Sequence, residues 1–282
     1  MKKLLVLTLV ASMTLGLAAC GSSSSDKAAD TAPAETTEST DKAEDTAEDT
    51  ADAATSDKTW VIAMDTVFRP FEYTDENGEF VGIDVDIINA IAADQNFKVE
   101  LKSLGWDAAV TAVQAGQADA LLAGASITDE RKANGWIFSD SYYDSYQVFT
   151  VKADSGIESL DDLKGKTIAV KNATAGAKYA ADLQEEYGFK IDTYEDSPTM
   201  YQAVVLGQAD ACVEDKPIMA DSIKTGGLDL TILESTASDV APYGMAIMNE
   251  SNQELLDLFN AGLKDIKDNG TYDEILNKYL GQ

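Results

Sequence analysis

Three regimes of hydrophobic patterning divide the chain. Residues 4–20, LLVLTLVASMTLGLAAC, are almost wholly apolar behind Lys2 and Lys3. From Gly21 to about Asp57 no large apolar residue occurs, and Ser, Thr, Ala, Asp and Glu surround a single proline. From Trp60 onward, short apolar runs alternate with stretches of helical period. WVIAM (60–64), DALLAG, TIAVK and DACVE read as buried strands, and FEYTDENGEFVGIDVD reads as strand, Glu-Asn-Gly turn, strand. DVDIINAIAADQ carries apolar residues at 87, 88, 91 and 92, which predicts a helix with Asp84 as its N-cap and Asp86 in its first turn. AAVTAVQA, GAKYAADLQEEYG and YQAVVLG continue the rhythm. The closing NQELLDLFNAGLKDIKDNGTYDEILNKYL predicts two helices broken at Asn269-Gly270. Strands alternating with helices argue for open α/β sheets.

Within this rhythm GQADA occurs twice, at 116–120 and at 207–211. Each copy follows a helical stretch, so its glycine falls where a helix ends in a left-handed residue. Each precedes a short apolar run that leads into a polar segment, GASITDER in one case and EDKP in the other. The recurrence predicts two similar lobes. Ligands of open α/β sheets bind beyond the carboxyl ends of strands, so each lobe should offer a ligand loop at the equivalent place. The extended SYQVFTVKAD and the returning APYGMAIM supply two crossovers between lobes, about which they could hinge.

Composition narrows the partners. The 282 residues include 50 acidic and 21 basic side chains, for a formal charge of −29, and 45% are apolar. Such a polyanion is repelled by nucleic acid and by anionic membrane surfaces, whereas small molecules remain open. The absence of histidine removes the usual general base, the Ser-His and Cys-His nucleophile pairs and the commonest zinc ligand, so an enzyme is not expected. Asp84-x-Asp86 and the DENG turn lack EF-hand spacing, and neither metal nor cofactor is expected. Cys212, in an apolar run, reads as an inert core thiol, and no internal disulfide is expected.

The first regime has the length and flanks of a secretory signal, and Leu17-Ala18-Ala19-Cys20 resembles a bacterial lipobox whose cysteine is diacylated. The expectation is a lipid-anchored protein on the extracytoplasmic face of the cell membrane, with residues 1–20 as signal and lipobox. Residues 21–57 cannot bury enough surface to offset ordering entropy, and their like charges repel, which predicts a disordered acidic tether.

DTVFRPFEY, GIDVDIINAIA, AGASITDER, FSDSYY, AVKNATAG, GQADACVEDKP and NGTYDEILNKY follow one another in an order that resembles the polar-amino-acid family of bacterial solute-binding proteins, the ligand-capturing subunits of ABC importers. Within it the chain is most similar to glutamine-binding members. The resemblance spans residues 58–282 and implies a fold like that of type II periplasmic binding proteins, two α/β lobes joined by two hinge strands with a ligand cleft between them. Lobe 1 would comprise 58–144 and 244–282, and lobe 2 residues 145–243. The implied partners are a free L-amino acid and ABC permease and ATPase subunits, with the protein itself a monomer.

A site for a free amino acid must replace two hydration shells with matched charges. The resemblance assigns Arg131 to the ligand α-carboxylate, although beside Asp129 and Glu130 it also reads as a surface ion pair. Thr174 and Ala175, in Ala173-Thr174-Ala175-Gly176, stand where a helix start offers free N–H groups to that carboxylate, and a plain helix N-terminus is the alternative. Relatives show a glycine-richer loop there. Asp215, Ser126 and the carbonyl of Gly124 are the implied acceptors for the α-ammonium. Phe68 and Trp106 match sandwiching aromatics, or are ordinary core. Asp65 and Lys171 match residues that meet a carboxamide, one accepting and one donating. Glu214 stands where glutamine binders often carry histidine, and an extra acid there favours a basic amino acid, with cystine another option. A cyclohexadienyl-dehydratase-like enzyme with Glu214 as general acid is the rival from another class.

Overall fold

The computed structural model describes residues 58–281; the expected signal, Cys20 and the tether lie outside them. The chain opens with β1 (Thr59–Met64) and a small antiparallel sheet of β2 (Val67–Phe68), β3 (Glu72–Thr74) and β4 (Phe80–Val81). There follow α1 (Ile83–Asp94), β5 (Lys98–Ser103), α2 (Trp106–Gln114), β6 (Ala120–Leu121), α3 (Asp129–Ala133) and β7 (Ile137–Phe138). The chain then builds a second unit from β8 (Gln147–Lys152), β9 (Thr167–Lys171), α4 (Ala175–Tyr187), β10 (Lys190–Tyr194), α5 (Ser197–Val205), β11 (Ala211–Asp215), α6 (Lys216–Gly226) and β12 (Leu230–Leu233). It returns through β13 (Ala246–Ile247) and closes with α7 (Gln253–Asp268) and α8 (Thr271–Leu280).

Two five-stranded sheets result, ordered β5-β1-β6-β13-β7 and β10-β9-β11-β8-β12. In each, the first parallel strand lies between the second and the third: β1 pairs with β5 and β6, and β9 pairs with β10 and β11, all parallel. That arrangement creates a topological switch point at the carboxyl ends of the central strands of both sheets. Two extended crossovers join the lobes side by side, with Tyr243 N donating to Tyr143 O and Ala241 N to Ser145 O, each at 2.7 Å.

Strand alternation fills a core on both faces of each sheet. In β1, Trp60, Ile62 and Met64 face α1 and α7, while Ala63 packs with Trp106, Leu121 and Trp136. In the second lobe Ile168, Val170 and Val213 pack toward α4, and Ala169 and Cys212 pack with Met200, Val204 and Met219. Cys212 is fully buried, and burial pushes its thiol well above the ordinary range. The α1 residues at 87, 88, 91 and 92 are buried as the period predicts.

The helix cap is not where the sequence pattern puts it. Gly82, not Asp84, caps α1, and no side chain caps it. Backbone carbonyls of the preceding hairpin do so instead, Pro70 O accepting from Ile83 N at 3.0 Å and Phe71 O from Asp84 N at 2.9 Å. Only glycine allows this approach, because a Cβ at 82 would lie 2.0 Å from Phe71 O. Asp84 is carried into the core. Among the described residues no helix is long and apolar enough to cross a membrane, and no cluster of ligating side chains could hold a metal ion.

Candidate functional site

Both switch points open onto one narrow cavity between the lobes. Its lining includes Asp65, Phe68, Trp106, Gly124, Ser126 and Arg131 from the first lobe, and Lys171, Thr174, Ala175 and Asp215 from the second. The fold explains the convergence. Asp65 immediately follows β1, Lys171 ends β9, Asp215 ends β11, and Gly124 lies just beyond β6. Trp106 and Ala175 are the first residues of α2 and α4, whose N-termini carry unpaired N–H groups. The cavity holds about 20 Å³ and adjoins a broader cleft of about 890 Å³ that shares Arg131, Thr174 and Ala175 with it.

The lining carries both signs of charge from each lobe. Lys171 Nζ and Asp65 Oδ2 form an ion pair across the lobes, each side chain only 3% exposed, and Asp65 Oδ1 accepts from Thr66 N at 2.6 Å. Arg131 donates to Ser126 O at 2.8 Å and lies 5.0 Å from the ring centres of both Trp106 and Trp136. Burial lowers its guanidinium to about 10, against the opposing fields of Asp215 and Glu130. Asp215 accepts from Gln147 Nε2 at 2.8 Å and Ser145 Oγ at 3.1 Å. Its carboxyl is pushed up to about 7 by burial and by neighbouring Glu214, although the hydrogen bonds to it pull the other way.

Backbone geometry sets the walls. Gly124 has φ +54, and a Cβ there would come within 2.4 Å of the Phe68 ring, so its carbonyl loop and that aromatic can meet only through glycine. Thr174 caps α4, accepting from Ala177 N at 3.1 Å and donating to Lys171 O at 2.8 Å. Ala173 departs from the glycine-rich expectation and pays with a left-handed backbone at φ +54. Its carbonyl accepts from Trp106 Nε1 across the cleft at 3.2 Å. Asn172 Nδ2 to Asp107 Oδ2 at 2.7 Å and Arg69 Nε to Asp221 Oδ2 at 3.0 Å complete the interlobe contacts around the cavity.

Glu214 does not line the cavity. Its carboxylate accepts from Ser197 Oγ and Tyr201 OH at 2.7 Å each and from Asp215 N at 2.9 Å. It is therefore held toward α5 of the second lobe, and it reaches the site through its field on Asp215. Gln147 and Ser145, which fix Asp215, carry no sequence signal, because they reach it only through the antiparallel register that sets Gln147 opposite Asp215.

Residues 60–282 match the model of bacterial extracellular solute-binding proteins, family 3. The arginine-binding extracellular protein ArtP of Bacillus subtilis (strain 168) is 30% identical over 280 residues, covering 99% of this chain and 98% of that protein. The crystal structure of the arginine-, lysine-, histidine-binding protein ArtJ of Geobacillus stearothermophilus superposes with a TM-score of 0.73 at 33% identity, covering 80% of this chain and 96% of ArtJ. An ancestral arginine-binding protein bound to glutamine gives 0.72 at 34% identity, covering 79% and 98%. The chain belongs to family 3 of the bacterial extracellular solute-binding proteins.

Proposed function

We propose that this protein captures a polar amino acid, glutamine before others, and delivers it to the permease of an ABC importer. One observation carries the reading: a single cavity is lined by Arg131 and Asp215 and by the Asp65–Lys171 pair. A zwitterion's carboxylate matches the Arg131 fork and the α4 N-terminus, and its ammonium matches Asp215, Ser126 and the Gly124 carbonyl. A carboxamide both donates and accepts, so it pairs with Asp65 through NH₂ and with Lys171 through C=O. Phe68 and Trp106 flank the aliphatic stem. A guanidinium or ammonium in that place would face the Lys171 charge at close range.

A cavity of about 20 Å³ has room for roughly one water, far less than an amino acid requires. Capture therefore includes lobe separation and parting of Asp65 from Lys171, followed by reclosure around the ligand. Lobe 1 takes residues 58–144 and 244–282 and lobe 2 residues 145–243. The protein acts as a monomer without turnover, held by a diacylated Cys20 at the extracytoplasmic face; mass spectrometry of the mature N-terminus tests that anchor.

A basic ligand is the second reading, favoured by the names of ArtP and ArtJ. Thermal unfolding of the purified protein with each of the twenty amino acids separates the two. Ligand binding raises the midpoint with the logarithm of ligand concentration over its dissociation constant, so at equal concentration glutamine should give the largest shift. A larger shift with arginine, lysine or histidine replaces glutamine by that ligand, and no shift with any amino acid ends the binding reading.

A further inference from the structure

Directly behind the Gly124 wall lies a pair of buried carboxyl groups, Glu72 on β3 and Asp84 in the first turn of α1, both 0% exposed. Asp84 Oδ2 is fully used: it accepts from Gly124 N at 2.9 Å and from Tyr142 OH at 2.9 Å. Asp84 Oδ1 and both oxygens of Glu72 have no donor among the described residues. The two residues are neighbours, since Asp84 N donates to Phe71 O at 2.9 Å, one residue before Glu72, and each carboxyl perturbs the titration of the other. Two carboxylates cannot satisfy each other, since neither has a proton to give. Leaving them both ionised and unpartnered in the core is prohibitively costly.

We infer that Glu72 is a protonated positioning residue: its carboxyl donates to Asp84 Oδ1, and the pair shares one proton that holds Gly124 at the wall of the ligand cavity. Of the three unpartnered oxygens of the pair, only the second Glu72 oxygen is then left without a partner. The path to the site is short. Asp84 fixes Gly124 through its N–H, Glu72 fixes Asp84, and β3 sets Glu72 opposite Phe68, whose ring contacts Gly124. The role toward ligand rests on the amino-acid reading above; the shared proton does not.

The surroundings favour a single proton. Burial and Asp84 raise the Glu72 carboxyl well above its ordinary range, Asp65 just after β1 adds to this, and Lys171 on β9 opposes it. Tyr142, packed on the other side, and Tyr272 of α8 are phenols held neutral in part by the same negative field. Asp86, on the exposed face of α1, is turned away to Lys278 and Tyr279. Removing the shared proton would set two carboxylates against each other and release Asp84 from Gly124.

Infrared difference spectroscopy at pH 8, where Asp215 is largely ionised, tests the proton directly. The wild type should show the carbonyl stretch of a protonated carboxylic acid. The stretch should vanish in Glu72→Gln and persist in Asp215→Asn. Its absence from the wild type, or its survival in Glu72→Gln, overturns the proposal, and the wild-type spectrum decides even if the variant fails to fold. A pH profile of urea unfolding adds a second readout. A carboxyl raised in the folded state loses its stabilising proton as pH climbs from the ordinary glutamate range through the folded value, by up to about tenfold in the unfolding constant per pH unit. Glu72→Gln should flatten that decline by one proton, while an unchanged slope counts against the pair. Calorimetry with L-glutamine across the pH range of that decline reads the positioning role: affinity should fall more steeply in the wild type than in Glu72→Gln, where the ligand's own ammonium still adds a dependence. Equal pH dependence in both removes the link to the site, and failure of the wild type to bind glutamine at all strikes only the choice of ligand, leaving the spectrum to judge the proton.

Discussion

GQADA at 116–120 and GQADA at 207–211 occupy the same place in the two sheets, bond for bond. Gly116 and Gly207 end α2 and α5 with φ +68 and +70, donating to Val113 O and Val204 O. Asp119 and Asp210 each form a two-way clamp on a central strand: Asp119 N donates to Val61 O while its carboxylate accepts from Val61 N, and Asp210 does the same with Thr167. After this shared frame the lobes diverge. The first strand stops at Leu121 and turns at Gly124, presenting backbone groups and then Arg131 on α3. The second runs on to Glu214 and Asp215 before α6 begins. The scaffold is duplicated, and the charge at its edge is opposite in the two copies. On the proposed reading the ligand's carboxylate and ammonium are therefore met from opposite lobes, by Arg131 of the first and Asp215 of the second.

Removing one side of the division tests it most severely. Arg131→Ala and Asp215→Ala should each weaken glutamine binding at least about a hundredfold in calorimetry, the cost of stranding one partner of a buried charge pair. A variant that binds within tenfold of the wild type would show that its lobe does not share the zwitterion. The carboxyl of Asp215 near 7 also gives the second lobe a pH signature. A proton competes with the ligand ammonium, so affinity should drop as pH falls below about 7, by up to tenfold per unit, and Asp215→Asn should lose the dependence. In the unliganded protein the sign is opposite: a raised carboxyl pKa makes Asp215 cost stability as pH rises through about 7.

Asp65 and Lys171 cross the division, one from each lobe, and their exchange of charge for ligand polarity should be smaller but more specific. Asp65→Asn leaves Lys171 without its buried counter-ion and should shift preference from glutamine toward glutamate by about ten- to a hundredfold, read by competition between the two. Equal weakening toward both would mean the pair supports the fold rather than choosing the side chain. The duplicated clamps predict equality instead of difference. Asp119→Ala and Asp210→Ala should each cost about 1–2 kcal/mol in urea unfolding, the usual worth of hydrogen bonds to a carboxylate, with little change in affinity.

How much of this was legible in the chain varies by physical range. Helical and strand periods are local, so the βα rhythm, the break at Asn269-Gly270 and the equivalence of the two GQADA segments could be read directly. Placing Arg131, Asp215, Asp65 and Lys171 around one cavity needed the family resemblance, since no spacing joins residues from opposite lobes. The expected cap at Asp84 failed because the capping carbonyls come from Pro70 and Phe71, a turn of chain that folds back at Gly82. Glu72 was invisible for the same reason: in FEYT it alternates like an exposed strand residue, and only the docking of the hairpin on α1 buries it.

The smallest effect concerns Ala173, where the second lobe departs from the glycine-richer loop that the family resemblance implies. Ala173 holds a left-handed backbone that glycine adopts freely, and for an L-residue this costs about 1–2 kcal/mol. Ala173→Gly removes that strain but also adds freedom to the unfolded chain, worth about 0.4–1 kcal/mol in the other direction. The net should be a gain of about 0.5 kcal/mol in urea unfolding. The Ala173 carbonyl carries the Trp106 indole across the cleft, so the backbone there is part of the closed geometry as well as of the loop. If the strain belongs only to the loop, Ala173→Gly leaves glutamine affinity unchanged. A several-fold loss of affinity beside unchanged stability would instead show that alanine pre-sets the loop for closure, and that the second lobe's departure serves the interlobe contact.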